Sequence, residues 1–149
     1  MSRTAALLTF VLVVAAAVVA IAAAPVEKES KSAIVINMTA GKEDLHSFWM
    51  GLQLAGHALA DGRKATVYLN VNAPWLGSTK APEDLRHGDL PTPREQIADL
   101  LEKGAKIIVC PGCLKLAGLA KEDLLPGLEL GTKEALFGPL DGKGAVFSY

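Results

Sequence analysis

The chain has 149 residues, a length typical of one domain rather than two. Half of its residues are hydrophobic, and 15 lysines and arginines balance 16 aspartates and glutamates. This balance does not favour a general nucleic-acid-binding surface, and two cysteines exclude a disulfide-dense secreted scaffold. The composition predicts one ordinary globular domain behind a very apolar N-terminal segment.

The N-terminal segment has the pattern of a targeting signal. Residues 5–24 carry no charge, Arg3 precedes them, and residues 25–32 form a polar linker. A positive start, an apolar run and small residues suited to cleavage are typical of a secretory signal peptide. About 20 apolar residues can also span a bilayer as an uncleaved anchor. We therefore expect residues 1–24 to export residues 33–149 to a periplasmic space, where the domain is soluble or anchored by this segment alone.

Behind this segment the hydrophobic pattern alternates between strand and helix. Residues 33–37 form a short continuous apolar run, typical of a strand covered on both faces. From Glu43 onward, apolar residues recur at helical spacing until Asp61 and Gly62 end the run. The next apolar run, residues 65–71, predicts the second strand.

The second helix has the clearest start signal in the sequence. Thr92 can cap it, Pro93 fits its first turn, and Glu95 can complete a capping box. Gly104 ends this helix. Residues 106–110 then predict a third strand that ends at a cysteine.

The last third of the chain repeats the same alternation. A short helix closed by Gly118 precedes a short strand at residues 128–130, a helix from Thr132 to Phe137, and a terminal strand at residues 145–149. Alternating strands and helices predict an α/β fold with a mainly parallel sheet, helices on both faces and right-handed crossovers.

One connection is too long for this pattern. About twenty residues with three prolines separate Val71 from Thr92. Such connections are active-site covers, binding loops or mobile surface segments. This one leaves the carboxyl end of the second strand, the edge at which open parallel sheets form ligand sites. We therefore expect that Trp75, Arg86 and His87 can reach that site.

Cys110 and Cys113 are the candidate chemical centre. Cys110 ends the third strand and Cys113 lies in the first turn of the next helix, where free N–H groups lower the pKa of a thiol. Two sulfurs at this spacing can also attack one another. Lys115 would add positive charge nearby, and His46 follows the first strand at the same edge. The alternative is that both cysteines are small buried hydrophobic residues.

A metal or cofactor site is not expected. One Cys-x-x-Cys supplies two zinc ligands, and His46, His57 and His87 have scattered spacings. Glycine-rich phosphate loops, the dinucleotide-binding motif and the serine-hydrolase elbow are missing from the sequence. The Cys-x-x-Cys also falls too late in the element order for a thioredoxin.

Four stretches of this sequence resemble a known family. They are the cysteine region at residues 101–113, the following residues 122–127, and residues 41–46 and 67–71. Through these stretches the chain resembles the DsrE/DsrF-like family of sulfur-relay proteins, which have the YchN-like fold. The resemblance covers residues 33–149.

The resemblance implies an α/β three-layer sandwich with a mainly parallel five-stranded sheet, assembled as a homo-oligomer, often a trimer or a hexamer. In relay members, a cysteine at this strand end accepts sulfane sulfur as a persulfide and passes it on. Cys110 matches that position, whereas Cys113 matches only relatives with a second cysteine. Known relays work in the cytoplasm, so neither the sulfur donor nor the sulfur acceptor can be carried over to a chain with an export segment.

Three functions stay open at this point. The protein is a sulfur carrier of the sulfurtransferase type that uses Cys110, a thiol–disulfide redox protein that uses both cysteines, or a non-enzymatic oligomeric module that binds a small ligand. The first predicts that Cys110 alone is essential for sulfur loading. The second requires Cys113 as well, and the third requires neither cysteine.

Overall fold

The computed structural model describes residues 31–140 and 143–149. These residues form five strands, which are β1 (Ile34–Met38), β2 (Ala65–Leu69), β3 (Lys106–Val109), β4 (Glu129–Leu130) and β5 (Ala145–Ser148). The strands make one sheet in the order β4-β3-β2-β1-β5, and every pair is parallel. The α/β fold with a mainly parallel five-stranded sheet is therefore confirmed, and all carboxyl strand ends lie at one edge.

Helices connect these strands. They are α1 (Leu45–Ala60), α2 (Pro93–Glu102), α3 (Pro111–Leu116) and α4 (Lys133–Phe137). Three 3-10 turns follow the same path, at Ala73–Trp75, Lys121–Asp123 and Gly138–Leu140. The element order is the one that the hydrophobic pattern predicts, because buried parallel strands need apolar runs and their crossover helices need an apolar stripe.

The main core lies between one face of the sheet and the helices α1 and α2. Side chains alternate between the two faces along a strand, so every second residue points into this core. The buried strand and helix residues that fill it include Ile34, Ile36, Met38, Val67, Leu69, Ile107, Val109, Phe48, Leu52, Ile97 and Leu100. The opposite face of β2 presents Thr66 and Tyr68, and Gly131 packs close to the Tyr68 ring. This second face carries the polar side chains of the site described below.

The capping box of α2 is confirmed. Thr92 Oγ1 accepts the N–H of Glu95 at 3.2 Å, and Glu95 Oε2 accepts the N–H of Thr92 at 2.8 Å. These bonds satisfy two N–H groups that have no partner within the helix. The helix start is therefore fixed by local chemistry that the sequence displays.

Replacing Thr92 by alanine removes the cap, and we expect the free energy of unfolding to fall by about 1 kcal/mol. Thr92→Ser keeps the hydroxyl and serves as the matched control. Chemical denaturation of both variants measures the effect. Equal stability of Thr92→Ala and wild type would contradict a stabilising role for this cap.

The first half of the long connection, residues 72–81, packs against the rest of the fold, whereas residues 82–91 lie at the surface. Ser78 forms an antiparallel bridge with Leu124, and Lys80 forms a 3.1 Å salt bridge with Asp123. Several of its side chains are buried, including Ala73, Leu76 and Ala81. The connection lacks a periodic pattern because its order comes from contacts with a distant segment rather than from regular secondary structure.

The predicted targeting segment, residues 1–24, and most of the polar linker lie outside the described residues. Within residues 31–140 and 143–149, no helix combines the length and the hydrophobicity that crossing a bilayer requires.

Candidate functional site

Cys110 lies where β3 passes into α3, at the carboxyl edge of the sheet. Its N–H donates to the carbonyl of Leu69 at 2.9 Å, which fixes its backbone to β2. Its side chain caps α3, because Cys110 Sγ accepts the N–H of Cys113 at 3.3 Å. Pro111 occupies the first helical position, where its missing N–H has no cost. The local sequence thus points backbone donors at the sulfur.

Hydrogen bonds make Cys110 the more acidic of the two thiols. Partial burial raises the pKa of Cys110, but donation from the Tyr68 hydroxyl, from the Cys113 thiol and from the N–H groups of Cys113 and Gly112 outweighs burial and lowers it overall. Each of these donors stabilises the thiolate. Cys110 is therefore a thiolate over a wider pH range than an ordinary cysteine.

Tyr68 remains a hydrogen-bond donor at neutral pH. Burial, followed by the hydrogen bond to Cys110, raises the pKa of Tyr68 to about 12. Tyr68 stands on the second face of β2, and its register partner on β3 is Ile108, two residues before Cys110. The strand alternation therefore places the tyrosine hydroxyl beside the sulfur.

Cys113 keeps its proton. Burial raises the pKa of Cys113, and the neighbouring Cys110 sulfur raises it further, whereas the N–H of Val71 lowers it. Cys113 Sγ lies 3.1 Å from Asn70 Oδ1, to which it donates. A thiol has one proton, so Cys113 donates either to Asn70 or to Cys110 at any moment. The site thus pairs a thiolate with a thiol.

A row of polar side chains holds Asn70 in place. Its Oδ1 accepts the N–H of Val71 at 3.0 Å, and its Nδ2 donates to Asn37 Oδ1 at 3.2 Å. Asn37 Nδ2 in turn donates to Ser148 Oγ at 3.1 Å. Val71 has a φ of 51°, a strained value for a β-branched residue. This turn ends β2 at Leu69, two residues before the predicted end.

A cavity of about 590 Å³ opens beside Cys113. The residues that line it are Lys42, Glu43, Val71, Asn72, Trp75, Cys113, Leu116 and Ala117. Lys42 Nζ lies 5.3 Å from the centroid of the Trp75 ring, within the range of a cation–π contact. Of the two cysteines, Cys113 is therefore the one that contacts a molecule bound in this cavity.

Glu43 holds the rim of this cavity. Its Oε1 accepts the N–H of Gly41 at 3.0 Å and the Nδ2 group of Asn72 at 2.8 Å. The Asn72 bond is the largest of the interactions that lower the pKa of Glu43, so the carboxylate stays ionised. It ties the end of β1 to the connection that follows β2.

The site residues predicted from the sequence do not all lie at this cavity. Trp75 shares the cavity wall with Cys113, whereas Lys115 is exposed on α3 and is not part of that wall. His46 and His87 stack on each other with ring centroids 5.1 Å apart. Arg86 donates to the carbonyl of Asp84 at 3.3 Å and lines a separate groove beside α2. The structure therefore brings Trp75 together with Cys113 and places His46, His87 and Arg86 outside this cavity.

Sequence reasoning missed the cavity residues Lys42, Glu43 and Asn72 and the two cysteine partners Tyr68 and Asn70. Tyr68 lies on the second face of β2, and Asn70 comes directly after the Leu69–Val109 pair, beside Cys110. Aligning β2 with β3 in parallel register would have identified them. In the part of the chain that the structure describes, no group of three or more histidine, cysteine, aspartate or glutamate side chains is arranged to hold a metal ion.

Two archaeal proteins, both described only as uncharacterized, are similar to the chain in sequence. MK0008 from Methanopyrus kandleri is 30% identical over 88 residues, which cover 59% of this chain and 69% of the relative. MJ0989 from Methanocaldococcus jannaschii is 30% identical over 103 residues, which cover 69% of this chain and 84% of the relative. No family model matches the chain.

Solved structures have the same fold. The YchN protein of E. coli matches with a TM-score of 0.64 at 18% identity, covering 79% of this chain and 99% of YchN. MTH1491 from Methanobacterium thermoautotrophicum, a protein of unknown function, matches with a TM-score of 0.62 at 12% identity, covering 80% of this chain and 100% of that protein. Both matches concern the fold alone. The chain belongs to the family of MK0008 and MJ0989, and its fold is YchN-like, as its resemblance to the DsrE/DsrF-like proteins implies.

Proposed function

We propose that the protein is a sulfur carrier of the sulfurtransferase type, in which Cys110 accepts sulfane sulfur as a persulfide. The observation that supports this most is the set of donors around Cys110 Sγ, which comes from the Tyr68 hydroxyl, the Cys113 thiol and backbone N–H groups. A thiolate is the form of cysteine that attacks sulfur. The YchN-like fold and the resemblance to the sulfur-relay family agree with this chemistry.

The proposed step transfers one sulfur atom without net oxidation. The Cys110 thiolate attacks the outer sulfur of a persulfide donor, R–S–SH. A bond forms between Cys110 Sγ and that sulfur, the S–S bond of the donor breaks, and R–S⁻ leaves with the electron pair and takes a proton from water. An acceptor thiolate then attacks the outer sulfur of the Cys110 persulfide and restores the Cys110 thiolate. Neither step needs a cofactor.

Cys113 gives this carrier a second outcome. Its thiol is next to Cys110, and as a thiolate it can attack Cys110 Sγ of the persulfide. That reaction forms a Cys110–Cys113 disulfide and releases hydrosulfide, so the two cysteines are oxidised and the sulfane sulfur is reduced. Cys113 is thus proposed to resolve the persulfide when no acceptor is present.

Thiol–disulfide exchange is the second candidate function. The hydrogen bond between the two cysteine side chains favours it, because that contact makes the two sulfurs neighbours in the site. This function needs both cysteines, whereas sulfur carriage needs Cys110 alone. A Cys113→Ser variant therefore separates the two, since it keeps sulfur uptake only if the protein is a carrier.

We further propose that the protein acts in a periplasmic space as a homo-oligomer. The charge-free residues 5–24 support export. Three exposed apolar side chains on α4 and on the edge strand β5 support assembly, since Phe137, Val146 and Phe147 are 58%, 59% and 42% exposed. Intact mass and sedimentation of the native protein test both proposals. A monomer that retains residues 1–24 in the cytosol would contradict them.

Tyr68→Phe tests how Cys110 is activated. Removing a donor that stabilises the thiolate raises the pKa of Cys110, so we expect alkylation at neutral pH to slow severalfold. The measurement is the pH dependence of iodoacetamide modification, made in a Cys113→Ser background so that only Cys110 reacts. Above the Cys110 pKa of both proteins, with and without the Tyr68 hydroxyl, the two alkylation rates should become equal. A variant that was merely misfolded would not show this convergence.

Tyr149→Phe is the matched control for this substitution. The Tyr149 ring packs near Gly51 of α1, so the loss of its hydroxyl should leave the pH profile of Cys110 unchanged. If the pH profile of Cys110 alkylation is identical with and without the Tyr68→Phe substitution in the Cys113→Ser background, the tyrosine hydroxyl does not stabilise this thiolate.

A further inference from the structure

The cavity beside Cys113 has a volume suited to an organic molecule. Its 590 Å³ falls within the range of about 300–1,000 Å³ that is usual for small-molecule sites. An inorganic anion such as thiosulfate would fill only a small part of it. The cavity therefore has room for a thiol compound with a carbon skeleton.

One cation in the cavity wall is available to a ligand. Lys42 Nζ lies against the Trp75 ring, which restricts its position without neutralising its charge. Among residues 31–140 and 143–149, no carboxylate forms a salt bridge with Lys42. Its ammonium group can therefore pair with an anionic group that enters the cavity.

The other charged residue of the wall is already engaged. Glu43 accepts hydrogen bonds from Asn72, from its own backbone N–H and from the N–H of Gly41, so its negative charge is already stabilised within the protein. An anionic ligand group is consequently expected on the side of the cavity formed by Lys42 and Trp75, away from Glu43.

Apolar side chains complete the wall. Val71 is 53% exposed and Leu116 is 89% exposed, and both line the cavity. Large apolar side chains that stand in solvent at a concave site often contact a ligand. Both belong to the same cavity wall as Lys42 and Cys113.

We infer that this cavity binds a low-molecular-weight thiol compound that bears a carboxylate, with the carboxylate at Lys42, the carbon chain along Trp75 and Leu116, and the sulfur at Cys113. The inference rests on the proposed function, because it names the chemical class of the sulfur donor or acceptor. For a donor R–S–SH held in this way, the outer sulfur lies next to the Cys113 thiol, which is hydrogen-bonded to Cys110 Sγ, and the Cys110 thiolate attacks that sulfur with the atoms and electrons balanced as in the transfer step above.

Three aliphatic disulfides test this inference with the full-length protein. They are 3,3′-dithiodipropionate, which is anionic, cystamine, which is cationic, and bis(2-hydroxyethyl) disulfide, which is uncharged. In each reaction the Cys110 thiolate attacks one sulfur, a mixed disulfide forms, and half of the probe leaves as a thiolate. Cys113 can then displace the other half and form the Cys110–Cys113 disulfide. Intact mass of quenched samples gives the rate as the sum of the mixed disulfide and the internal disulfide. Dividing each variant's rate by the wild-type rate removes the intrinsic reactivity of the probe.

Lys42→Gln should slow the reaction with dithiodipropionate about fivefold relative to the uncharged probe, and added salt should reduce this difference. Glu43→Gln should show the opposite charge preference, since it should slow the reaction with cationic cystamine and not the reaction with dithiodipropionate. The matched control is Lys121→Gln, which removes the same charge from an exposed lysine outside the cavity wall and should change no ratio. Circular dichroism confirms that each variant is folded.

If the ratio of variant rate to wild-type rate is the same for Lys42→Gln and Lys121→Gln with all three probes, the inference is overturned. Sulfur loading of Cys110 from polysulfide, measured on the same variants, separates it from the proposed function. If Cys110 takes up sulfur but the probes show no dependence on Lys42, the cavity inference fails alone. If the dependence on Lys42 is present but Cys110 takes up no sulfur, the carrier function fails and the cavity remains a site for carboxylate-bearing thiol compounds.

Discussion

Replacing Cys110 by serine is expected to reduce sulfur loading from polysulfide to the level of a control without protein. Serine keeps the size of the side chain and can still accept the N–H of Cys113, so α3 should keep its cap. Its hydroxyl is not ionised at neutral pH and does not form a persulfide. The measurement is protein-bound sulfane sulfur after removal of the donor, together with circular dichroism to confirm the fold.

Cys113→Ser is the matched control for this experiment. It sits one helical turn away and removes the other thiol, but it leaves the donors from Tyr68 and the backbone around Cys110. We expect this variant to load sulfur and to lose the reaction that forms the internal disulfide. Loading that persists in Cys110→Ser and disappears in Cys113→Ser would reverse the assigned roles of the two cysteines.

The second large effect concerns the core that positions the site. Phe48 on α1 is 1% exposed and packs among the buried residues between α1 and the sheet. Phe48→Ala removes a buried ring and leaves a cavity, so the free energy of unfolding should fall by about 3–5 kcal/mol. A typical domain has a total stability of about 5–15 kcal/mol, and the variant is therefore expected to be close to unfolding at 37 °C.

Met50→Ala provides the comparison, because Met50 lies on the same helix as Phe48 but is 41% exposed. Truncating a large apolar side chain at this surface should alter stability by about 0.5 kcal/mol or less. Denaturant titration of both variants measures the difference. A smaller loss for Phe48→Ala than for Met50→Ala would contradict the placement of the core between α1 and the sheet.

Most of the fold could be predicted from the sequence because its three central strands, β1, β2 and β3, are largely buried on both faces. Continuous apolar runs at β1, β2 and β3 and the capping box at Thr92 are local signals, and each strand lies within two residues of its predicted bounds. The connection between Val71 and Thr92 was harder to interpret. Its order depends on pairing with a segment more than forty residues away, such as Ser78 with Leu124, which no local pattern displays.

The site could be predicted only in part, for a similar reason. Cys110 and Cys113 stand out because their spacing carries chemistry of its own. The roles of Tyr68 and Asn70 depend on the register between β2 and β3, so they appear only when the two strands are aligned. The positions of Arg86 and His87 depend on the path of the connection, which the stacking of His87 on His46 directs toward the start of α1.

The most direct test of the central claim is peptide mapping by mass spectrometry of the wild-type protein and of Cys113→Ser after incubation with polysulfide, with free thiols blocked and with and without reductant. The proposed function predicts one added sulfur atom on Cys110 of Cys113→Ser that reductant removes, and in the wild-type protein the same persulfide together with the Cys110–Cys113 disulfide that its resolution forms. Added sulfur confined to Cys113 of the wild-type protein, or no added sulfur on Cys110 of Cys113→Ser, would contradict it.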